Sequence, residues 1–146
     1  MTFRAYIVED STTIRDNLTE TLKELAGFEP VGATESEHEA KRWLVANAWD
    51  LAIIDLFLRE GSGMNVIESV RRRQPQQKVV VLSNHSSRDV RWRCQQLGAD
   101  ACFDKSTELE ALIDYCASLK ETVQATEGAP AAVTAPVTPA PAAPAA

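Results

Sequence analysis

The chain has 146 residues and a formal net charge of −6, and none of its apolar runs approaches the roughly 20 residues that a membrane-spanning helix needs. The acidic balance makes the chain a poor candidate for non-specific nucleic-acid binding, because that activity depends on basic surfaces that meet phosphates. The N-terminus passes from Met1 directly into a predicted strand without a secretory signal pattern, so we expect a cytoplasmic protein.

Strand and helix signals alternate five times along the chain. Short apolar runs predict strands at residues 4–8, 29–33, 50–54, 78–82 and 100–103. Each run is followed by a segment whose apolar residues recur at helical spacing, and Ser, Thr or Asp stands where each helix is expected to begin. Five such units with short connections predict an α/β fold, an open parallel sheet with helices on both faces.

Composition changes near Ala125. Five of the seven prolines lie beyond this point, and the segment has no large apolar residues to bury. We therefore expect a folded domain over residues 1–123 and a disordered Ala/Pro-rich tail over residues 124–146. Three cysteines, an odd number without metal-ligand spacing, are expected to be reduced core residues: Cys94, Cys102 and Cys116.

Polar side chains stand at the ends of four predicted strands. Glu9 and Asp10 follow the first strand, Asp55 the third, Ser83 the fourth and Lys105 the fifth. The carboxyl ends of parallel strands meet at one edge of a sheet, where ligands bind in such folds. Like charges about 4 Å apart repel by roughly 4 kcal/mol at an effective dielectric constant near 20. Because carboxylate oxygens are the ligands that hard divalent cations prefer, this edge predicts a magnesium site, and a free carboxylate beside it indicates phosphoryl chemistry.

Each of these residues also has an ordinary interpretation. Glu9 and Asp10 could form an acidic first helical turn, which the helix dipole favours. Asp55 could be a helix cap and Lys105 a surface lysine. The joint arrangement at consecutive strand ends favours the site.

In combination, these motifs resemble the receiver domain of two-component response regulators, including single-domain regulators of the chemotaxis type. The resemblance covers about residues 3–122. It depends on Val-Glu-Asp after the first strand, Asp-Leu-x-Leu followed by Gly after the third, Ser after the fourth and Phe-x-Lys after the fifth. It implies a flavodoxin-like sheet with strand order 2-1-3-4-5 and five helices on its two faces.

The resemblance also implies roles for the acidic residues. Asp55 would be the phosphoacceptor, and Glu9 and Asp10 would hold Mg²⁺ together with Asp55. The backbone carbonyl of Phe57 would supply a further protein ligand. Three carboxylates and Lys105 give a local charge of −2, which one Mg²⁺ would bring to zero before a phosphoryl group arrives.

Further residues are implied to bind the phosphoryl group and to transmit the signal. Lys105 would be the second cation, and Ser83 would offer a hydroxyl donor. Ser83 and Phe103 resemble the two residues that move on phosphorylation in the family. Their movement changes a surface made by the fourth helix, the fifth strand and the fifth helix. Trp92 on the fourth helix stands between Arg91 and Arg93, where it could contact a partner or pack against a neighbouring element.

Several positions depart from the family pattern. Asn84 stands where the family commonly has a small residue, and His85 follows it. Phe57 places a bulky side chain two residues after Asp55. We expect Phe57, Asn84 and His85 to restrict an attacking water and to set the phosphoryl lifetime. Ser106 stands where the family often has proline, which leaves open whether the Lys105–Ser106 bond is cis.

The leading interpretation is a stand-alone phosphoacceptor receiver, with nothing after residue 123 to fold into an output domain. It would catalyse only its own phosphorylation and dephosphorylation. Its partners would be a sensor histidine kinase or a histidine phosphotransfer protein and a downstream protein, with neither nucleic acid nor membrane. Two alternatives remain: an interaction module that works without phosphorylation, and a small metal-dependent phosphatase on a similar sheet.

Overall fold

A computed structural model of the chain describes residues 3–25, 27–84 and 87–128. Strands and helices alternate in the order β1 (Phe3–Val8), α1 (Thr12–Leu25), β2 (Phe28–Thr34), α2 (Glu37–Ala46), β3 (Leu51–Asp55), α3 (Gly63–Ser69), β4 (Lys78–Ser83), α4 (Arg88–Leu97), β5 (Ala101–Asp104) and α5 (Leu109–Gly128). Among the helices in these ranges, none has the length and apolar character that crossing a membrane requires.

The five strands form one parallel sheet in the order β2-β1-β3-β4-β5, which confirms the predicted flavodoxin-like fold. β3, β4 and β5 each end one residue later than the sequence predicts. The reason is that their last residues still pair in the sheet, Asp55 with Leu82 and Ser83 with Asp104. Asp55 and Ser83, which were expected just beyond β3 and β4, are therefore held in the sheet by strand pairing.

Successive side chains along each strand point to opposite faces of the sheet, so they contribute to two hydrophobic cores, one on each face. Ile7 and Ile53 face α1 and α5, whereas Val8 and Ile54 face α2, α3 and α4. β3 is buried along its whole length because helices cover both of its faces. The site-bearing ends of the central strands are thus fixed by packing on both sides.

Serine side chains and a glycine set several of the helix ends. Ser36 accepts a hydrogen bond from the Glu39 N–H, which confirms the predicted cap of α2. Ser87 accepts from the Val90 N–H and caps α4. Gly98 ends α4 with φ of +113°, a left-handed conformation that favours glycine.

α5 continues to Gly128, beyond the domain boundary expected at residue 123. The residues after 123 contain no proline until Pro130, and a proline disfavours helix in the residue before it. The remainder of the predicted tail, residues 129–146, lies outside the described residues.

Gly63 allows the loop after β3 to return closely onto that strand. Its N–H donates to the Leu56 carbonyl at 2.9 Å. A Cβ at this position would lie 2.1 Å from the carbonyl oxygen of Asp55 and 2.8 Å from Cα of Leu56. Both neighbours are backbone atoms, so a side chain here must displace the end of β3 that carries Asp55.

Gly63→Ala is therefore expected to destabilise the fold by about 1–3 kcal/mol, the usual cost of overpacking a core. Urea unfolding of the variant and the wild type measures this difference. Val45→Ala, at an exposed position of α2, is the control and should change the free energy of unfolding by no more than about 0.5 kcal/mol. Equal stability of the Gly63→Ala variant and the wild type would show that the close approach does not constrain this loop.

Candidate functional site

Three acidic side chains meet at the carboxyl edge of the sheet. Glu9 and Asp10 follow β1, and Asp55 is the last residue of β3, the neighbouring strand. Each offers a carboxylate oxygen, and the three atoms lie within 4.8 Å of one another. The convergence predicted from strand ends is thus present in the structure.

Glu9 is held by its own turn and by the neighbouring strand. Its N–H donates to the Thr34 carbonyl at 2.9 Å, and its Oε2 accepts from the Ser11 N–H at 2.9 Å. The residue is only 1% exposed. Oε1 lies 2.8 Å from Nζ of Lys105, yet it accepts no well-directed hydrogen bond from any described residue. One buried carboxylate oxygen is therefore ion-paired but retains acceptor capacity.

Asp55 is equally enclosed, with 3% exposure. Its Oδ1 accepts from the Phe57 N–H at 3.3 Å, and its Oδ2 accepts from Nζ of Lys105 at 2.9 Å. The first bond fixes the start of the following loop, and the second connects the acid to β5. The geometry presents this carboxylate at the sheet edge rather than as a helix cap, since α3 begins only at Gly63.

Lys105 binds both buried acids at once. Its N–H donates to the Ser83 carbonyl at 2.9 Å, so the backbone that carries it is tied to the end of β4. The side chain is 7% exposed. The described residues contain no cis peptide bond, so the Lys105–Ser106 bond is trans. The interpretation of Lys105 as an ordinary surface lysine does not fit this burial.

Burial and charge pairing act against each other on these groups. Burial raises the pKa of the Glu9 and Asp55 carboxyls, and Lys105 offsets only part of that effect. For Lys105, burial is the largest single influence and lowers the pKa of the ammonium. The two carboxylates together outweigh it, so the pKa is raised. The lysine is therefore charged at neutral pH, and it offsets only part of the cost of ionising the two buried acids.

This set of donors fits a hard divalent cation. Three carboxylates and one ammonium leave a local charge of −2, and Oε1 of Glu9 has spare acceptor capacity. Mg²⁺ binds oxygen ligands of this kind, usually through one or two carboxylates with waters completing its coordination. Glu9, Asp10 and Asp55 are the residues that could hold it.

The remaining predicted site residues have different degrees of exposure. Ser83 is fully buried at the end of β4, whereas Asn84 is exposed directly after it. Phe57 is 57% exposed beside Asp55. Phe103 lies on β5, with its ring centroid 5.7 Å from that of Tyr115. His85 lies outside the described residues.

Glu37 is a positioning residue that the sequence did not reveal. Its Oε1 accepts from the Ser62 N–H at 2.9 Å and from the Asn65 side chain at 3.2 Å. The hydrogen bond from Ser62 is the main reason why the pKa of Glu37 is lowered. These contacts tie the start of α2 to the loop that follows Asp55. The partners lie far apart in sequence, so neither apolar patterning nor residue spacing connects them.

Comparison with known proteins agrees with the geometry. The response regulator receiver domain family matches residues 5–117. A response regulator receiver domain protein (CheY-like) from Methanospirillum hungatei has the same fold, with a TM-score of 0.73 and 24% identity, over 86% of this chain and all (100%) of that one.

Two curated relatives match this chain over part of their own length. A cyclic di-GMP phosphodiesterase of Thermotoga maritima is 29% identical over 106 residues, which are 73% of this chain and 28% of that protein. The response regulator UvrY of Escherichia coli is 21% identical over 113 residues, which are 77% of this chain and 52% of UvrY. The chain thus spans about half or less of the length of these relatives. The match over most of its length, together with the fold, shows that the chain belongs to the family of response regulator receiver domains.

Proposed function

We propose that this receiver domain accepts a phosphoryl group on Asp55 in a Mg²⁺-dependent reaction. Receiver domains interact with histidine kinases or phosphotransfer proteins, and one of these is the proposed donor. The single observation that supports the proposal best is the position of Asp55. It is buried at the sheet edge, 2.9 Å from the ammonium of Lys105, and its carboxylate lies beside those of Glu9 and Asp10.

In the proposed reaction, a carboxylate oxygen of Asp55 attacks phosphorus as the bond from phosphorus to the histidine nitrogen of the donor breaks. The electron pair of that bond remains on the imidazole, and Asp55 becomes an acyl phosphate. Lys105 supplies positive charge near the phosphoryl oxygens, and Ser83 is the proposed hydroxyl donor to them. Bound Mg²⁺ would neutralise charge at those oxygens. Glu9 and Asp10 would hold the ion together with Asp55, which would keep the Asp55 carboxylate oriented for the reaction.

We further propose that the signal leaves through the face formed by α4, β5 and α5. Ser83 is the last residue of β4, and Phe103, which pairs with Leu82, lies one residue before the end of the adjacent strand β5. A phosphoryl group on Asp55 would act on both. Trp92 is 61% exposed on α4, which favours the partner-contact interpretation over packing against a neighbour. Exposed aromatic residues beside arginines are common anchors of protein interfaces.

Two other functions are distinguished by simple measurements. An interaction module that works without phosphorylation would bind its partner equally well whether or not Asp55 is phosphorylated. A metal-dependent phosphatase would turn over free phosphoesters repeatedly. Receiver domains act on themselves, and the similarity to a phosphodiesterase covers only 28% of that protein. We therefore propose no activity beyond phosphorylation and dephosphorylation of Asp55.

The direct test is incubation with acetyl phosphate and Mg²⁺, followed by intact mass measurement. We expect one acid-labile phosphoryl adduct on the wild type, little or none when the metal is chelated, and none on Asp55→Asn. Asp16→Asn, which changes an exposed acid on α1, should label like the wild type. An adduct that persists on Asp55→Asn would place the acceptor elsewhere and overturn the proposal.

A second experiment concerns the lifetime of the acyl phosphate. We propose that Phe57, Asn84 and His85 limit access of water to the phosphoryl group. Replacing each with alanine should therefore speed loss of the adduct several-fold, measured by mass after removal of acetyl phosphate. Val45→Ala, another exposed apolar position, is the control and should leave the rate unchanged. Unchanged rates in all three site variants would show that these side chains do not shield the acyl phosphate.

A further inference from the structure

The loop between β5 and α5 carries Lys105, and hydrogen bonds within the loop close it into a turn. The Glu108 N–H donates to the Asp104 carbonyl at 2.9 Å. In the opposite direction, the Asp104 N–H donates to Oε1 of Glu108 at 2.9 Å. On the other side of Lys105, the N–H and the hydroxyl of Ser106 both donate to Oδ1 of Asp104, the former at 2.8 Å. The two chain neighbours of Lys105 are therefore held by carboxylates of the same loop.

Arg91 connects α4 to one of these carboxylates. Its guanidinium donates to Oε1 of Glu108 and, at 2.8 Å, to the Cys102 carbonyl on β5. The two charged side chains are partly exposed, 39% for Arg91 and 35% for Glu108, so their ion pair by itself contributes little to stability. Its effect is geometric, because the same oxygen of Glu108 accepts from the guanidinium and from the N–H of Asp104. Arg91 thus orients the carboxylate that closes the Lys105 loop.

The far end of the Lys105 side chain reaches the two buried acids. Its Nζ lies 2.8 Å from Oε1 of Glu9 and 2.9 Å from Oδ2 of Asp55. A lysine has a flexible four-carbon stem, so the position of its ammonium depends on how firmly its backbone is held. A misplacement of about 1 Å can slow a reaction by roughly 100-fold. The contacts that close the loop therefore bear on the chemistry at Asp55.

We propose that Glu108 is a positioning residue for the phosphorylation of Asp55. It fixes the loop that carries Lys105, and Arg91 on α4 holds its carboxylate in that position. The inference rests on the proposed phosphoryl transfer and extends it to two residues that do not touch the phosphoryl group. It also connects α4, part of the proposed signalling face, to the cation that would meet the phosphoryl oxygens.

The first test measures the initial rate of adduct formation in the full-length chain, with acetyl phosphate and saturating Mg²⁺. Glu108→Ala removes the acceptor and should slow labelling several-fold. Glu108→Gln keeps an oxygen that can accept from the loop N–H and should retain most of the wild-type rate. Arg91→Ala should slow labelling to a smaller extent, because the hydrogen bond within the loop remains. Glu110→Ala, at an exposed position of α5, is the matched control and should label like the wild type.

Magnesium affinity separates positioning from a general loss of structure. The ammonium of Lys105 repels a cation that approaches the carboxylates of Glu9 and Asp55. Loosening the lysine should therefore leave the Kd for Mg²⁺ of Glu108→Ala, measured by calorimetry, unchanged or up to several-fold lower. A variant whose site is merely damaged would bind Mg²⁺ more weakly. We thus expect slower labelling without weaker metal binding, and circular dichroism verifies that the variants are folded.

The decisive measurement places Glu108→Ala in a Lys105→Ala background. A residue that acts through Lys105 has no further effect once that lysine is absent, so the double variant should match Lys105→Ala in labelling rate and in Kd for Mg²⁺. A further several-fold loss in the double variant would overturn the proposal. Equal labelling of the wild type and Glu108→Ala would also overturn it, as would weaker Mg²⁺ binding by Glu108→Ala. A wild type without any label would contradict the phosphoryl transfer itself, and this inference would fall with it.

Discussion

The ammonium of Lys105, placed between two buried carboxylates, is the interaction on which the site depends. Glu9 and Asp55 come from neighbouring strands, and burying two like charges together is costly unless a cation compensates them. Lys105 supplies one positive charge at 2.8 and 2.9 Å, which leaves a local charge of −2 with Asp10 included. In the proposed reaction, a bound Mg²⁺ would offset this remaining negative charge, and the incoming phosphoryl group would be stabilised by both the ion and Lys105.

The sequence predicted the architecture well because its signals were local and consistent. Apolar runs indicated the five strands, polar capping residues indicated where helices begin, and short connections implied a parallel sheet. The errors lie at element ends. β3 and β4 include Asp55 and Ser83 because strand pairing holds them, and apolar patterning does not register a polar residue that pairs.

At the site, the sequence identified residues whose position follows from strand order. Glu9, Asp10, Asp55 and Lys105 meet because their strands end at one edge. Contacts that depend on side-chain direction were not predictable. The hydrogen bonds that Glu37 accepts from Ser62 and Asn65 join segments that lie far apart in sequence.

Magnesium binding tests the central claim most directly, measured as the shift in unfolding temperature with added Mg²⁺ at pH 8 and pH 5. Burial raises the pKa of Glu9 and Asp55 from ordinary values of 4.5 and 3.8. Without metal, the free energy of unfolding therefore falls as the pH rises from these ordinary pKa values to the raised pKa values of the folded protein.

We expect Mg²⁺ to raise the unfolding temperature more at pH 8 than at pH 5, where protons compete for the carboxylates. Glu9→Gln should lose most of this response, and Glu20→Gln on the exposed face of α1 should keep it. A wild-type unfolding temperature that does not change with Mg²⁺ at pH 8, or a full response in Glu9→Gln, would contradict the account.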